Sequence, residues 1–138
     1  MTEIDHEVNE FLQQTQIAVI TTIDAKGRPR SVPIWYHWED GAAYMFTGRD
    51  TLKWRNIKRN PHASFCVDWR EPPYKSVNLD GPVEEVTRSI YGLVLGMARR
   101  YYGEEEGRAF AEGYRDNTEK VVVFRIVPRH IVSYLDND

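Results

Sequence analysis

Five cationic side chains, Arg49, Lys53, Arg55, Lys58 and Arg59, fall within eleven positions against a single acid, Asp50. Their spacing suits the capture of an anion. Asp50 or Thr51 can cap a helix over 52–59, which Asn60-Pro61 stops. A helix start carries free backbone N–H groups and a partial positive charge. Arg49 stands just before this start and Lys53 in its first turn, where each opposes the dipole by about 0.3–1 kcal/mol unless an anion compensates. Thr47 and Gly48 deliver the chain to that point, so Thr47, Arg49 and Lys53 could hold a phosphate by charge-assisted hydrogen bonds. Upstream, Pro33, Trp35 and Tyr36 offer the apolar and aromatic wall that a planar cofactor needs. Segment 27–61 thus reads as a pocket for a phosphorylated, flavin-like molecule. Spacing alone fits a second reading equally: a solvated basic helix face, with Trp35, Tyr36 and Trp38 in a core or an interface.

Other chemistries lack their residues. There is no P-loop, no GxGxxG after a strand and no G-x-S-x-G. His6, His37, His62 and His130 are scattered, and no Cys/His group has zinc spacing, so no metal is expected. Asp24, Asp80, Glu84 and Glu85 form no recognisable acid/base pair. The one cysteine, Cys66, lies in the apolar run 63–69 and reads as a small core residue. A single cysteine suits a reducing cytoplasm, the expected location. The acidic start MTEIDHEVNEF does not read as a secretory signal, and no run of 18 apolar residues predicts membrane insertion. A net charge of −3 argues against bulk nucleic-acid binding.

Positioning the pocket falls to a chain of 138 residues, the size of one domain spanning 1–138. A short helix is expected over 7–14, with Val8, Phe11 and Leu12 on one side. The β-branched run 17–23 predicts a strand that turns at 24–27. A second strand is expected over 30–38, bulged or open on one side at Pro33, which has no ladder donor. Glu39-Asp40-Gly41 closes a hairpin into 42–47. Strands follow over 63–69 and 75–86, the latter bending at Gly81-Pro82. Helical spacing of Ile90, Leu93, Val94, Met97 and Tyr101 predicts a helix over 87–102, broken by Gly103. A further helix over 104–114 and strands over 120–126 and 130–135 complete the chain. The sum is mainly β: six or seven antiparallel strands over 17–135 with two or three flanking helices. Short connections favour a closed or nearly closed barrel, the alternative being an open α+β sheet.

Three stretches, AVITTIDAKGRPRSVPIWY, FTGRDTLKWRNIKRNPHASFCVD and EPPYKSVNLDGPVEEV, together with RRYYG at 99–103, carry a resemblance. The chain resembles the pyridoxamine 5'-phosphate oxidase-like FMN-binding split-barrel superfamily, and within it the actinobacterial branch that uses the deazaflavin coenzyme F420. The resemblance covers 18–135. It implies a six-stranded antiparallel split β-barrel and a homodimer with a cofactor in each interface groove. It also implies that Ser31, Val32 and Pro33 line the ring, largely through backbone contacts. Thr47, Arg49, Lys53 and Arg55 would hold the phosphate. Trp69, Tyr74 and Lys75 would lie where the partner subunit closes the groove. FMN and F420 share the tricyclic ring and ribityl phosphate, whereas F420 adds an oligoglutamate tail. Arg55, Lys58 and Arg59 share one helix face and could meet that tail, which favours F420, with FMN as the alternative.

The implied activity is hydride transfer between F420 and a small conjugated or quinone-like acceptor. An FMN-dependent oxidoreductase or a non-catalytic flavin carrier would use the same pocket. Tyr74, Lys75, His37 or water could supply the accompanying proton, and no catalytic residue is assigned. His37, between aromatics in a strand, suits a structural role better.

Overall fold

The computed structural model describes residues 4–14, 17–115 and 119–135. In chain order the elements are α1 (His6–Gln14), β1 (Ile17–Ile23), β2 (Pro29–Trp35), β3 (His37–Glu39), β4 (Ala42–Gly48), α2 (Leu52–Arg59), β5 (His62–Trp69), β6 (Lys75–Glu85), α3 (Ile90–Tyr102), α4 (Glu104–Glu112), β7 (Val121–Ile126) and β8 (His130–Tyr134). The fold is mainly β, a curled antiparallel half-barrel of the split-barrel kind. Its strand order is β2-β1-β5-β6-β7-β4-β3, with β8 paired to β6.

The eight strands and four helices exceed the expected six or seven and two or three. The extra strand comes from a break at Tyr36 inside the expected strand 30–38. Tertiary contacts make that break: the buried Tyr36 hydroxyl donates to the Leu12 carbonyl at 2.7 Å, and Trp38 Nε1 donates to Asn9 Oδ1 at 2.7 Å. Both anchors are on α1, so the chain turns to follow that helix. Tyr36 and Trp38 are therefore core residues, not cofactor wall. The helix expected from 87 starts at Ile90, capped by Ser89, because Arg88 swings away to Glu39 at 3.0 and 3.3 Å.

The split arises in β6. Its first part pairs with β5 and β8, and Val83–Glu85 pair with β7. At Gly81, just before the change of partner, a Cβ would clash with the Val127 carbonyl, so no larger residue fits. Alternate residues of β1, β5 and β6 fill the barrel interior: Ile20, Phe65, Val67, Val77 and Leu79 are all buried. A second cluster lies outside the barrel, where Leu93, Val94 and Met97 of α3 and Ala111 of α4 pack on Val121 and Val123 of β7. The helical hairpin is drawn tight at Gly107, where a Cβ would lie 2.7 Å from the Arg99 nitrogen.

On the outer face of the β1-β5-β6-β8 sheet Val132 and Tyr134 are 57% and 66% exposed, and at its end Trp69 and the neighbouring Tyr74 are 48% and 68% exposed, Trp69 on the side that alternation shares with Phe65 and Val67. Cys66 belongs to the outer face, half-buried on β5, and not to the core expected for it. Burial there, reinforced by Asp68, raises its thiol pKa and keeps it protonated. No described helix is long and apolar enough to cross a membrane.

Candidate functional site

The turn from β4 into α2 has the local chemistry its sequence suggested. Thr51 is the N-cap: its Oγ1 accepts from Trp54 N at 3.2 Å. Capping by Thr51 turns the first turn of α2 back over the end of β4. Lys53 Nζ then donates to Thr47 Oγ1 at 3.2 Å, and Thr47 Oγ1 also lies 3.3 Å from Thr51 Oγ1. Lys53 is half-buried and has no carboxylate partner among the described residues. Burial lowers its pKa, since desolvation disfavours the ammonium. A buried cation satisfied by one hydroxyl is held at a cost that an anion would relieve.

The other cations of this segment are differently engaged. Arg49 Nη2 donates to Glu85 Oε2 at 2.9 Å. Arg55 Nη1 donates to the Asp50 carbonyl at 3.0 Å, and Arg59 Nη1 to Asn56 Oδ1 at 3.4 Å. Arg49, Arg55, Lys58 and Arg59 nevertheless line one recess of about 550 Å³ against Trp54. The predicted basic set thus divides into the Thr47–Lys53 pair and a separate guanidinium-lined recess.

Among the described strands β2 is an edge strand, paired only with β1, with Pro33 opposite Val19. This matches the expectation of a strand open on one side. The free edge leaves backbone groups without a strand partner, available to the rim of a planar ligand. Ser31 and Pro33 share the outer face, where Ser31 Oγ lies 2.7 Å from Thr21 Oγ1. Val32 alternates to the other face.

Three adjacent recesses follow this edge. The largest, about 840 Å³, has Ile17, Val19 and Pro33 as its floor, with Trp69, Arg70 and Lys75 on one side and Phe11 and Tyr101 also lining it. A recess of about 280 Å³ shares Ile17 and Pro33 with it and adds Trp35, Phe46 and Phe110. A third, about 670 Å³, shares Phe46 and Phe110 and reaches Thr47, Gly48 and Lys120. Shared walls make them successive stations along one groove, from Lys75 past Pro33 to Thr47. Tyr74 lines a fourth recess, of about 300 Å³, which shares Asp68, Trp69, Arg70 and Lys75 with the largest and adds Tyr134.

The sequence missed one wall of this groove. The Trp35 ring stacks on Tyr101 at 4.4 Å with 5° between planes, and Phe110 leans on Trp35 at 5.4 Å. Phe46 meets Tyr114 at 5.3 Å. The signal was present as aromatics on either side of Gly103, but helical spacing assigns them only an inward face. His37 lies elsewhere, held between Glu39 at 3.3 Å and Arg100 at 3.3 Å, the structural role its sequence context favours.

The sequence pattern of the family described as "Pyridoxamine 5'-phosphate oxidase" matches residues 4–131. A curated pyridoxine/pyridoxamine 5'-phosphate oxidase of Acidothermus cellulolyticus is 35% identical over 77 residues, which is 56% of this chain and 34% of that protein. The matched region therefore spans about a third of such relatives. Among solved structures, a conserved hypothetical protein of Mycobacterium tuberculosis superposes with a TM-score of 0.79 at 23% identity, covering 97% of this chain and 86% of the other. A structure described as an F420 reductase gives 0.74 at 19% identity, covering 94% and 98%. At these identities the likeness is one of fold.

Proposed function

The chain belongs to the pyridoxamine 5'-phosphate oxidase family, and from that premise we propose that it is an F420-dependent oxidoreductase acting on a small conjugated or quinone-like acceptor. One observation carries the reading. Lys53 is half-buried beside Thr47, without a carboxylate partner among the described residues, and Thr47 also lines a recess that shares walls with the one at the open edge of β2 by Pro33. A ribityl phosphate fits the first place and a tricyclic ring the second. The likeness in fold to an F420 reductase supports the choice of cofactor. So does the recess of Arg55, Lys58 and Arg59, which suits the carboxylates of an oligoglutamate tail. FMN would use the same Lys53 and Pro33 stations and leave that recess to solvent.

When bound, the reduced deazaflavin supplies a hydride to the acceptor. Lys53 and Thr47 fix the phosphate, and the backbone of Ser31, Val32 and Pro33 sets the ring edge. Ile17, Val19 and Trp69 exclude water from the ring face. The outer sheet face, with Val132 and Tyr134 exposed, is the proposed interface with a second copy, which would bury these side chains.

Parallel fluorescence titrations of the apo-protein with F420 and FMN test the reading, with light scattering run on the same samples. Tight F420 binding, weak FMN binding and a dimer are expected. Preference for FMN moves the protein to the flavin enzymes or carriers, and a cofactor-loaded monomer overturns the interface.

A further inference from the structure

His37 stands two residues past Trp35, on the short strand β3, with its side chain 25% exposed. Its two ring nitrogens meet partners of opposite charge. Nε2 lies 3.3 Å from Glu39 Oε1, and Nδ1 lies 3.3 Å from Arg100 Nη2, near the C-terminal end of α3. These partners fix the state of the ring. A guanidinium only donates, so Nδ1 must be bare; a carboxylate only accepts, so Nε2 must carry the hydrogen. Glu39 stays ionised because Arg88 grips it at 3.0 and 3.3 Å, which holds its carboxyl below the ordinary range. The ring is thus held as one tautomer of the neutral imidazole.

The same stretch carries the groove wall. Arg100 precedes Tyr101, whose ring stacks on Trp35 at 4.4 Å. Tyr101 lines the largest recess and Trp35 the one beside it. The end of α3 is therefore tied to the β2–β3 segment twice, once by an aromatic stack and once through His37. The stack has no charge to change. The His37 tie does: a proton on Nδ1 turns the acceptor into a donor and sets an imidazolium against a guanidinium, while the contact with Glu39 is kept. The other charged and titratable groups nearby have their own partners. Arg99 pairs with Glu104 at 3.1 Å, and Tyr44, opposite His37 on β4, has Arg88 over its ring and accepts from Arg125 Nη1 at 3.3 Å.

We propose that His37 is a proton-sensitive latch: neutral, it ties Arg100 and the end of α3 to β3 and keeps the Trp35–Tyr101 wall of the groove in place; protonated, it releases Arg100 and loosens that wall. This rests on the groove being the cofactor site argued above, which the latch regulates without touching the cofactor. Imidazole is the side chain that changes charge between about pH 5 and about pH 8, so cofactor affinity falls toward the acid end of that range.

The first test uses the full chain without cofactor. Near-ultraviolet circular dichroism reports the Trp35–Tyr101 stack, whose band is the difference between wild type and Trp35→Phe. From about pH 8 to about pH 5 the wild-type band should weaken. His37→Asn offers Arg100 an amide oxygen that does not titrate, so its band should hold across the range. Arg100→Met should give a weaker band that does not change with pH. FMN titrations at both ends of the range supply the second readout, the change in phosphate charge being common to every variant. On acidification the wild type should lose roughly two- to tenfold more affinity than His37→Asn, about the worth of one hydrogen bond. A wild-type band that ignores pH, or a His37→Asn band that weakens in acid as the wild type's does, overturns the latch. Equal losses of FMN affinity in wild type and His37→Asn overturn its hold on the groove. The functional reading fails separately: if neither FMN nor F420 binds while the band follows His37, the cofactor is wrong and the latch stands.

Discussion

Two polar regions of the molecule behave oppositely. At the β1–β2 turn a single carboxylate, Asp24, collects the backbone N–H groups of Lys26 and Arg28 at 2.9 Å each, Arg28 Nε at 3.0 Å and Arg30 Nε at 3.1 Å. Gly27, at φ +78°, provides the left-handed residue that wraps the turn around it. Both guanidinium groups there have a carboxylate acceptor within the chain. At Thr47 and along the groove the opposite holds: Lys53 has one hydroxyl, Lys75 has no carboxylate among the described residues and the Tyr101 hydroxyl has no hydrogen-bond partner. Basic residues are plentiful in both places, so their number does not mark the site. Whether the chain satisfies them does.

The largest effect separating the two regions should come from Lys53→Ala. Affinity for F420 or FMN, measured by fluorescence titration, should fall by about 1–3 kcal/mol, roughly 5- to 150-fold, as for a lost charge-assisted bond. The melting temperature should hold or rise, because a desolvated ammonium has been removed. Burial lowers the folded pKa of Lys53 below its ordinary 10.5, so the penalty is fully present at low pH. It is relieved as pH rises through the lowered value, and the wild type should gain relative to Lys53→Ala there. A variant that melts earlier and binds normally would make Lys53 a structural residue and erase the contrast.

Asp24→Asn should do the reverse, lowering the melting temperature by a few degrees without touching cofactor affinity. The backbone N–H of Arg28, then that of Lys26 and both guanidinium groups, hold the Asp24 carboxyl well below the usual carboxylate range. A depressed folded pKa contributes stability that is complete above the unfolded value, near 3.8, and is lost as pH falls through the folded one. The gap between wild type and Asp24→Asn in thermal melts should therefore be constant at neutral pH and narrow in strong acid. A gap that widens in acid would show that the carboxylate is not what holds the turn.

The contrast also explains what the sequence could convey. Local features were legible: the Thr51 cap, the edge position of the Pro33 strand and the Thr47–Lys53 neighbourhood all depend on residues close in the chain. Features decided by distant partners were not. The strand breaks at Tyr36 because its hydroxyl reaches Leu12 on α1, a bond no pattern within 30–38 contains. Cys66 faces outward because strand alternation puts Phe65 and Val67 inside. Trp35 and Tyr101 lie far apart in the sequence, and their stack makes a wall that periodicity sees only as two unrelated buried rings.

Arg49 is where the two kinds of region meet, and it should give the smallest effect. By position it belongs with Lys53 at the start of α2, but its guanidinium is paired with Glu85, thirty-six residues away. The two side chains are 43% and 44% exposed, so the pair contributes at most about 1 kcal/mol. To touch a phosphate Arg49 must leave Glu85, and what it gains there is offset by what it gives up. Arg49→Ala should therefore lower cofactor affinity by less than about 1 kcal/mol, under roughly fivefold, and leave the melting temperature almost unchanged. Glu85→Gln should tighten binding slightly, by freeing the guanidinium, and more so at low salt, where the exposed pair is strongest. If Arg49→Ala instead costs as much as Lys53→Ala, a partner inside the chain does not remove a cation from the site. The line drawn between satisfied and unsatisfied groups would then fail at the position where it is most finely balanced.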